Sequence, residues 1–370
     1  MRILMIVSND VVHDPRVLKE SRALREAGHE VVCIGWDRSG VLLRTEVYEG
    51  IEVQRVRTDG GMRLLWKDLF RNPAWWRRAR RLASGLRFDV IHCHDLDTLP
   101  IGVRLKETTG RPLVYDCHEV FAYMIEADVP GAVVDYAFRM ERRLAPRADR
   151  VVAVNEMVKE YVDGVSGKDA VLVRNCHDVV LDGYRAPAPG PFTILYLGTL
   201  HPSRFILPAI EAMSKLPDAR LLIGGSKQLT DLVREACARH GNTTFLGLVP
   251  NDQVFSMTVE AHLVLCMFDP THRINQVGLP NKIFEAMAAG RPSLVTSGLR
   301  MADLVTKEDC GLAVPYTTAG FLDAVRRLMS ESGLAERLGR NGLAAATREY
   351  NWTQEKRKLI ALYDGLREAA

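Results

Sequence analysis

Ile3-Leu4-Met5-Ile6-Val7 is an unbroken apolar run of the kind a parallel sheet buries on both faces. It gives way to a polar loop, Ser8-Asn9-Asp10 and then His13-Asp14-Pro15-Arg16. A helical pattern follows, carrying Val17, Leu18, Ala23, Leu24 and Ala27 and stopping at Gly28. Val31-Val32-Cys33-Ile34 is the next strand. This order is a βαβ unit, and its crossover is expected to be right-handed. The same texture restarts at Phe192-Thr193-Ile194-Leu195-Tyr196-Leu197-Gly198. Between the two halves lies Arg185-Ala186-Pro187-Ala188-Pro189-Gly190-Pro191, too stiff and too poor in apolar residues for regular structure. A chain of 370 residues is long for one core and comfortable for two. The expectation is α/β: two doubly wound, Rossmann-like parallel-sheet domains, 1–185 and 192–352, facing a cleft.

Other totals mainly exclude. A net charge of +3 is too small to argue for nucleic acid. Met1-Arg2 runs straight into the first strand with no signal-peptide core, and no stretch approaches the roughly 20 apolar residues of a membrane span. Cys33, Cys93, Cys117, Cys176, Cys237, Cys266 and Cys310 lack the paired spacings of a zinc site or disulfide framework. They read as reduced core cysteines of a cytoplasmic protein.

Residues 57–87 hold nine basic side chains (Arg57, Arg63, Lys67, Arg71, Arg77, Arg78, Arg80, Arg81, Arg87) against Asp59 and Asp68. With Asn72 as cap and Pro73 first, a helix would put Trp75, Trp76, Ala79, Leu82, Ala83 and Leu86 on one stripe flanked by arginines. Such a helix suits an anionic membrane surface, placing the protein peripherally on the inner face of a membrane. It equally suits a core helix with a solvated basic face.

Phe88-Asp89-Val90-Ile91-His92-Cys93 and Leu113-Val114-Tyr115-Asp116 are further strands. His94-Asp95-Leu96-Asp97 and Cys117-His118-Glu119 lie at their C-terminal ends, where open α/β sheets bind ligands. Asp95 and Asp97 have the spacing of a metal-binding pair, but the surrounding βα order argues against it, and Asp97 is expected to cap the next helix. His118 can orient a hydroxyl or share a proton near neutral pH, or be a satisfied buried histidine.

Gly278-Leu279-Pro280-Asn281-Lys282-Ile283-Phe284-Glu285-Ala286-Met287-Ala288-Ala289-Gly290-Arg291-Pro292 reads as a helix with Pro280 in its first position. Ile283, Phe284, Met287 and Ala288 form its apolar face, and Gly290 and Pro292 end it. A helix N-terminus offers free N–H groups, so Gly278 with Lys282 makes a diphosphate seat, and Glu285 one turn on can accept from sugar hydroxyls. The alternative is a capped core helix with a solvated Lys282/Glu285 pair.

This run resembles the donor-binding segment of the retaining nucleotide-sugar glycosyltransferases of family 4, and especially a branch reading Pro-Asn-Lys-x-Phe-Glu-x-Met-Ala-x-Gly-x-Pro. The resemblance implies the two-domain GT-B fold. The wider family usually has two glutamates eight positions apart; Glu285 matches the second, but the first falls on Val277. Either Asn281 or Lys282 takes over part of that role, or activity is altered. Asp14-Pro15-Arg16-Val17 resembles the family's first-loop signature, which makes Asp14 and Arg16 candidates for contacting acceptor or diphosphate. A cap with Pro in the first turn explains Asp14 and Pro15 equally well. Asp116-Cys117-His118-Glu119 resembles the acceptor-side motif, with His118 beside the transferred sugar and His94 and Glu119 on the acceptor side. Gly198 opens the loop whose basic residue, here Arg204, grips the diphosphate. Thr199 stands where a second arginine is common, and Lys227 resembles a further diphosphate contact. Leu246 and Gly247 lie in the stretch whose backbone reads the base, and Leu279 and Pro280 complete the donor segment. Tyr350-Asn351-Trp352 resembles the start of the last helix, so 353–370 are expected to pack on the N-terminal half.

The implied reaction transfers a hexosyl group from a nucleoside diphosphate sugar to a hydroxyl of a glycan or lipid-linked glycan, with retention. Arg204 and Lys282 would stabilise the leaving diphosphate, so no metal and no further cofactor is expected. Two rivals remain: a catalytically weak sugar-nucleotide-binding subunit, motivated by Val277 and Thr199, and a sugar-nucleotide 2-epimerase of the same architecture.

Overall fold

The computed structural model describes residues 1–58, 73–178 and 180–368. Arg63, Lys67, Arg71 and the expected cap Asn72 lie outside the described residues. The chain falls into two compact units, Met1–Arg174 with Glu355–Ala370, and Asn175–Gln354.

The first unit is built on an eight-stranded sheet in the order β3-β4-β2-β1-β5-β6-β7-β8. Its strands are β1 Arg2–Ile6, β2 Glu30–Asp37, β3 Thr45–Tyr48, β4 Ile51–Arg57, β5 Val90–His94, β6 Leu113–Cys117, β7 Arg150–Ala153 and β8 Val171–Leu172. Every pairing is parallel except β3 with β4. Ile3, Leu4, Met5 and Ile6 are wholly buried, as an apolar strand covered on both faces should be. Helix Pro15–Glu26 starts at Asp14, whose side chain accepts from the N–H groups of Arg16 and Val17. Helix Leu99–Thr109 starts at Thr98, not at Asp97. Helix Pro73–Ala83 buries Trp75, Ala79 and Ala83, while Arg77, Arg78, Arg80 and Arg81 face outward. Trp76 is half-buried and donates its indole N–H to the Asp97 carbonyl.

The second unit holds a six-stranded parallel sheet in the order β11-β10-β9-β12-β13-β14. These strands are β9 Phe192–Leu197, β10 Ala219–Gly224, β11 Thr243–Gly247, β12 Leu263–Cys266, β13 Ser293–Thr296 and β14 Gly311–Val314. Helix Asn281–Ala288 packs Ile283, Phe284 and Met287 into a core with Cys176, Phe268 and Tyr350.

Two further expectations are corrected. The first concerns the unit boundary, which falls at Arg174/Asn175 rather than in the proline-rich stretch. The residues before that stretch, and its first residue, are tied to the second unit: Leu181 N–H bonds the Ala288 carbonyl, and Arg291 donates to the Arg185 carbonyl. The last helix, Trp352–Glu368, enters the first unit from Glu355. The second correction is that Pro280 caps its helix in an extended conformation and does not occupy the first helical position. No helix among the described residues is long and apolar enough to cross a membrane.

Candidate active site: two charged centres, one in each unit

In the first unit, β5 and β6 run side by side with His94 opposite Asp116. A charged residue inside an apolar strand needs partners, and Asp116 has several. Arg16 reaches it with Nε at 3.1 Å and Nη2 at 2.8 Å, and places Nη1 3.0 Å from the Val173 carbonyl. His118 sets Nε2 2.9 Å from Asp116 Oδ2 and Nδ1 3.3 Å from Asp95 Oδ2. The His118 N–H also donates to Asp95 Oδ1 at 3.0 Å. Asp95 adopts φ 62°, a left-handed conformation uncommon for a residue other than glycine, and so presents both oxygens to His118.

The electrostatics follow from burial and neighbours. Burial would raise the Asp116 carboxyl, but Arg16 and His118 outweigh it and hold the group well below the usual carboxylate range. Burial would lower His118; Asp95 and Asp116 outweigh that and take it up to about 10. The two carboxyl groups thus favour the charged form of the ring, while burial pushes Asp95 itself up to about 8. Glu20, fully buried, is pushed up to about 8 by burial, with the neighbouring Asp116 charge adding to the rise and Arg16 only partly offsetting it. His92 stacks on His94 at 4.4 Å and binds the Tyr363 hydroxyl of the last helix through Nδ1 at 2.5 Å.

Glu20, His92, His94 and Asp116 bring one ligand-type atom each within 4.8 Å of the others. That spacing would admit a cation, but the positive charge there is already Arg16, bonded to both Asp116 oxygens and 2.9 Å from Glu20 Oε1. Arg16 and His94 are buried at 5% and 1% exposure, and the Asp14 carboxylate is spent on its helix cap and on Asn9. Their place is inside the network rather than on an open surface. His118 and Glu119 are half-buried.

In the second unit, Gly198 and Gly225 take φ 141° and 144°, and a Cβ on Gly225 would lie 1.8 Å from the Gly198 carbonyl oxygen. Only glycine permits that approach. Lys282, in the first turn of its helix, sets Nζ 3.7 Å from the centroid of the Tyr196 ring and 5.7 Å from that of Phe268. Among the described residues its ammonium makes no hydrogen bond or ion pair, and burial lowers it to about 8. Arg204 lies over the other aromatic, its guanidinium carbon 3.6 Å from the Phe268 centroid, and donates to Asn275 Oδ1 at 2.7 Å. Phe268 thus carries two cations, and Tyr196, Gly198 and Lys282 complete one seat. Glu285 lies half-buried one turn beyond Lys282.

Other expected donor residues are placed as follows. The Gly278 N–H is committed to the Ile274 carbonyl at 2.9 Å, so the bare amides sit instead at the helix start, with Asn281 and Lys282. Leu279 and Pro280 form the extended lead-in, Pro280 at φ −67° and ψ 137°. Thr199 is exposed and its carbonyl accepts from the Tyr196 hydroxyl. Lys227 is exposed at φ 131°, with its N–H and carbonyl bonded to the Thr230 hydroxyl. Leu246 and Gly247 end β11, and the Gly247 carbonyl accepts from the Gly225 N–H.

Sequence reasoning missed Glu20, His92, Tyr363, Tyr196 and Asn275. One signal was present: Glu20 falls on the helical face that carries Val17, Ala23 and Leu24, and His92 interrupts an apolar strand, so both are buried polar groups by pattern. Nothing in the sequence pairs Tyr363 with His92, 271 positions away.

Comparison with known proteins bears on both units. The family described as Glycosyltransferase Family 4 matches residues 16–181, and that described as Glycosyl transferases group 1 matches residues 191–331. Glycogen synthase of Mycobacterium tuberculosis is 26% identical, covering 90% of this chain and 86% of that protein. Sucrose-phosphate synthase from Thermosynechococcus elongatus superposes with a TM-score of 0.81 at 18% identity, over 100% of both chains. Anabaena HepE, solved with UDP-glucose, superposes with a TM-score of 0.72 at 15% identity, over 99% of each chain. With a family match over each half and GT-B architecture throughout, the chain belongs to the glycosyltransferases of family 4.

Proposed function

We propose that the enzyme transfers a hexose from a nucleoside diphosphate sugar to a hydroxyl of a glycan or lipid-linked glycan, with retention at the anomeric carbon. The observation that carries this reading is the Lys282 ammonium, half-buried against the faces of Tyr196 and Phe268 and set beside Arg204, with burial lowering it to about 8. Two half-buried cations around glycine-lined backbone suit a diphosphate, whose charge grows as the glycosidic bond breaks. These cations supply the stabilisation that a divalent ion would otherwise give, so the proposed reaction needs no metal. HepE, the structural neighbour, was solved with UDP-glucose.

The acceptor side is assigned to the first unit. There the His118 ring, with both nitrogens set against the carboxylates of Asp116 and Asp95, contributes positive charge beside the sugar and acceptor oxygens rather than a free hydrogen-bond donor. The exposed arginines of helix Pro73–Ala83 would hold an anionic membrane surface electrostatically. Trp75 is buried and takes no part in that contact.

The test is nucleotide release from UDP-, GDP- and ADP-hexoses, with and without glycan acceptors and with chelator present. Acceptor-dependent release that survives chelation, with an anomer of unchanged configuration by NMR, is expected. Donor binding without turnover would favour a non-catalytic subunit, and an epimerised donor in the absence of acceptor would favour a 2-epimerase. Sedimentation with neutral and anionic liposomes tests the basic face, and equal partitioning counts against it.

A further inference from the structure

Asn275 sits on the single-turn helix Arg273–Val277 and is 2% exposed. A buried primary amide must satisfy both ends. Its Nδ2 donates to the Asp269 carbonyl at 2.8 Å, and since a carbonyl can only accept, this fixes which way the amide faces. Oδ1 is thereby turned to Arg204 Nη1, 2.7 Å away. The backbone around the pair is stitched together as well. Phe205 N–H bonds the Met267 carbonyl at 3.1 Å, and Asp269 N–H bonds the Ser203 carbonyl at 2.9 Å. Phe268, between those bonds, is the ring on which the guanidinium lies. The orientation of Arg204 is therefore set in part by the Phe268 ring face and the Asn275 amide oxygen, with the Ser203 hydroxyl a longer 3.2 Å from the same Nη1.

The type of acceptor matters as much as its position. A carboxylate in this place would orient the guanidinium but also cancel much of its charge. An amide oxygen orients it and leaves the charge available to an incoming anion. Position 277, where the wider family usually has a glutamate, is Val277 here, and position 199 is a threonine. With fewer charges of both signs around the seat, a neutral clamp on Arg204 has a larger share of the work.

We infer that Asn275 is a positioning residue for the donor diphosphate: it holds Arg204 in a phosphate-ready orientation through a neutral acceptor. This rests on the reading of Arg204 and Lys282 as the diphosphate seat. The bidentate geometry that makes arginine an effective phosphate ligand depends on the plane of the fork, which Asn275 and Phe268 together define.

The experiment is calorimetric titration of the full chain with inorganic pyrophosphate, for wild type, Asn275→Asp, Asn275→Ala, Arg204→Ala and the two double variants with Arg204→Ala. Asn275→Asp is expected to weaken binding about tenfold, and Asn275→Ala by a smaller factor, with no further loss from either in the Arg204→Ala background. Should Asn275→Asp fail to fold, as its melting curve would show, the alanine cycle carries the test alone. Unchanged affinity in every folded Asn275 variant, or the same loss with and without Arg204, overturns the inference while leaving the seat intact. A wild type that does not bind pyrophosphate overturns the seat and the inference with it.

Discussion

Lys282 holds its ammonium 3.7 Å from the centroid of the Tyr196 ring, in the first turn of a helix that follows an extended Gly278-Leu279-Pro280 lead-in. The ring is fixed in turn, because the Tyr196 hydroxyl donates to the Thr199 carbonyl at 2.6 Å. A desolvated cation on a quadrupole is stabilised only in part. It remains a strong attractor for an anion, which connects the sequence of the helix start to the chemistry proposed for the unit.

That relationship fixes a pH dependence. Burial takes Lys282 from its ordinary 10.5 to about 8, so between those values the unfolded chain binds more protons than the folded one. Stability therefore rises with pH across this window, and Lys282→Met should remove that part of the slope in urea unfolding measured from pH 7 to about pH 10. Diphosphate affinity carries the opposite sign, because the protonated form binds the anion and affinity falls as pH rises through about 8. Identical stability slopes in variant and wild type would contradict the assignment.

Glu20 gives a second test. Raised to about 8, its carboxyl is neutral in the folded chain at pH 7, while in the unfolded chain it ionises near 4.5. Its contribution to stability thus falls as pH rises from 4.5 toward about 8. Glu20→Gln, which keeps the shape, should become progressively more stable than wild type across that range. A loss of about 3–5 kcal/mol at pH 7 would instead identify an ionised partner of Arg16.

The glycines divide by what surrounds them. Gly225→Ala meets the Gly198 carbonyl and a φ of 144°, and should cost about 2 kcal/mol or more together with diphosphate affinity. Gly164→Ala, inside helix Glu156–Ser166 with nothing within 4 Å, should gain about 1 kcal/mol. Thermal unfolding of the two variants checks both signs.

Tyr363→Phe removes the hydroxyl bonded to buried His92 Nδ1 and should cost about 1–2 kcal/mol in urea unfolding, since that imidazole nitrogen loses this partner. An unchanged midpoint would show that this hydroxyl is not needed to hold the last helix, which also pairs Glu355 with Arg174 and Lys356 with Glu26.

Much of the fold was legible because each strand is a local apolar run bounded by polar turns. The runs at Ile3–Val7 and Phe192–Gly198 announce two sheets without any tertiary knowledge, and the structure has β1 and β9 there. Arg204 and Lys282 could be singled out as candidates from the sequence because a basic residue in a glycine loop and one at a helix start have local signatures. Boundaries set by packing were not. Arg185 to Pro191 has linker composition, yet the unit boundary lies upstream, because Cys176 and Val180 pack against the core around Phe284. Arg16 was singled out as a ligand contact, but its burial against Asp116 depends on a strand 100 residues away. Asn275 and Tyr196 act through orientation of another group, and spacing in one dimension carries no trace of that.

The central claim is that the second unit seats a nucleoside diphosphate on Lys282 and Arg204. Thermal unfolding with UDP, GDP and ADP, for wild type, Lys282→Met and Arg204→Ala, tests it most directly. At one hundred times its dissociation constant, the bound nucleotide adds about 2.7 kcal/mol of stability. The account predicts a clear upward shift in Tm for wild type with at least one nucleotide and a much smaller one for each variant, whose unliganded transitions stay cooperative. Shifts of equal size in all three proteins, or none in wild type with any of the nucleotides, would contradict it.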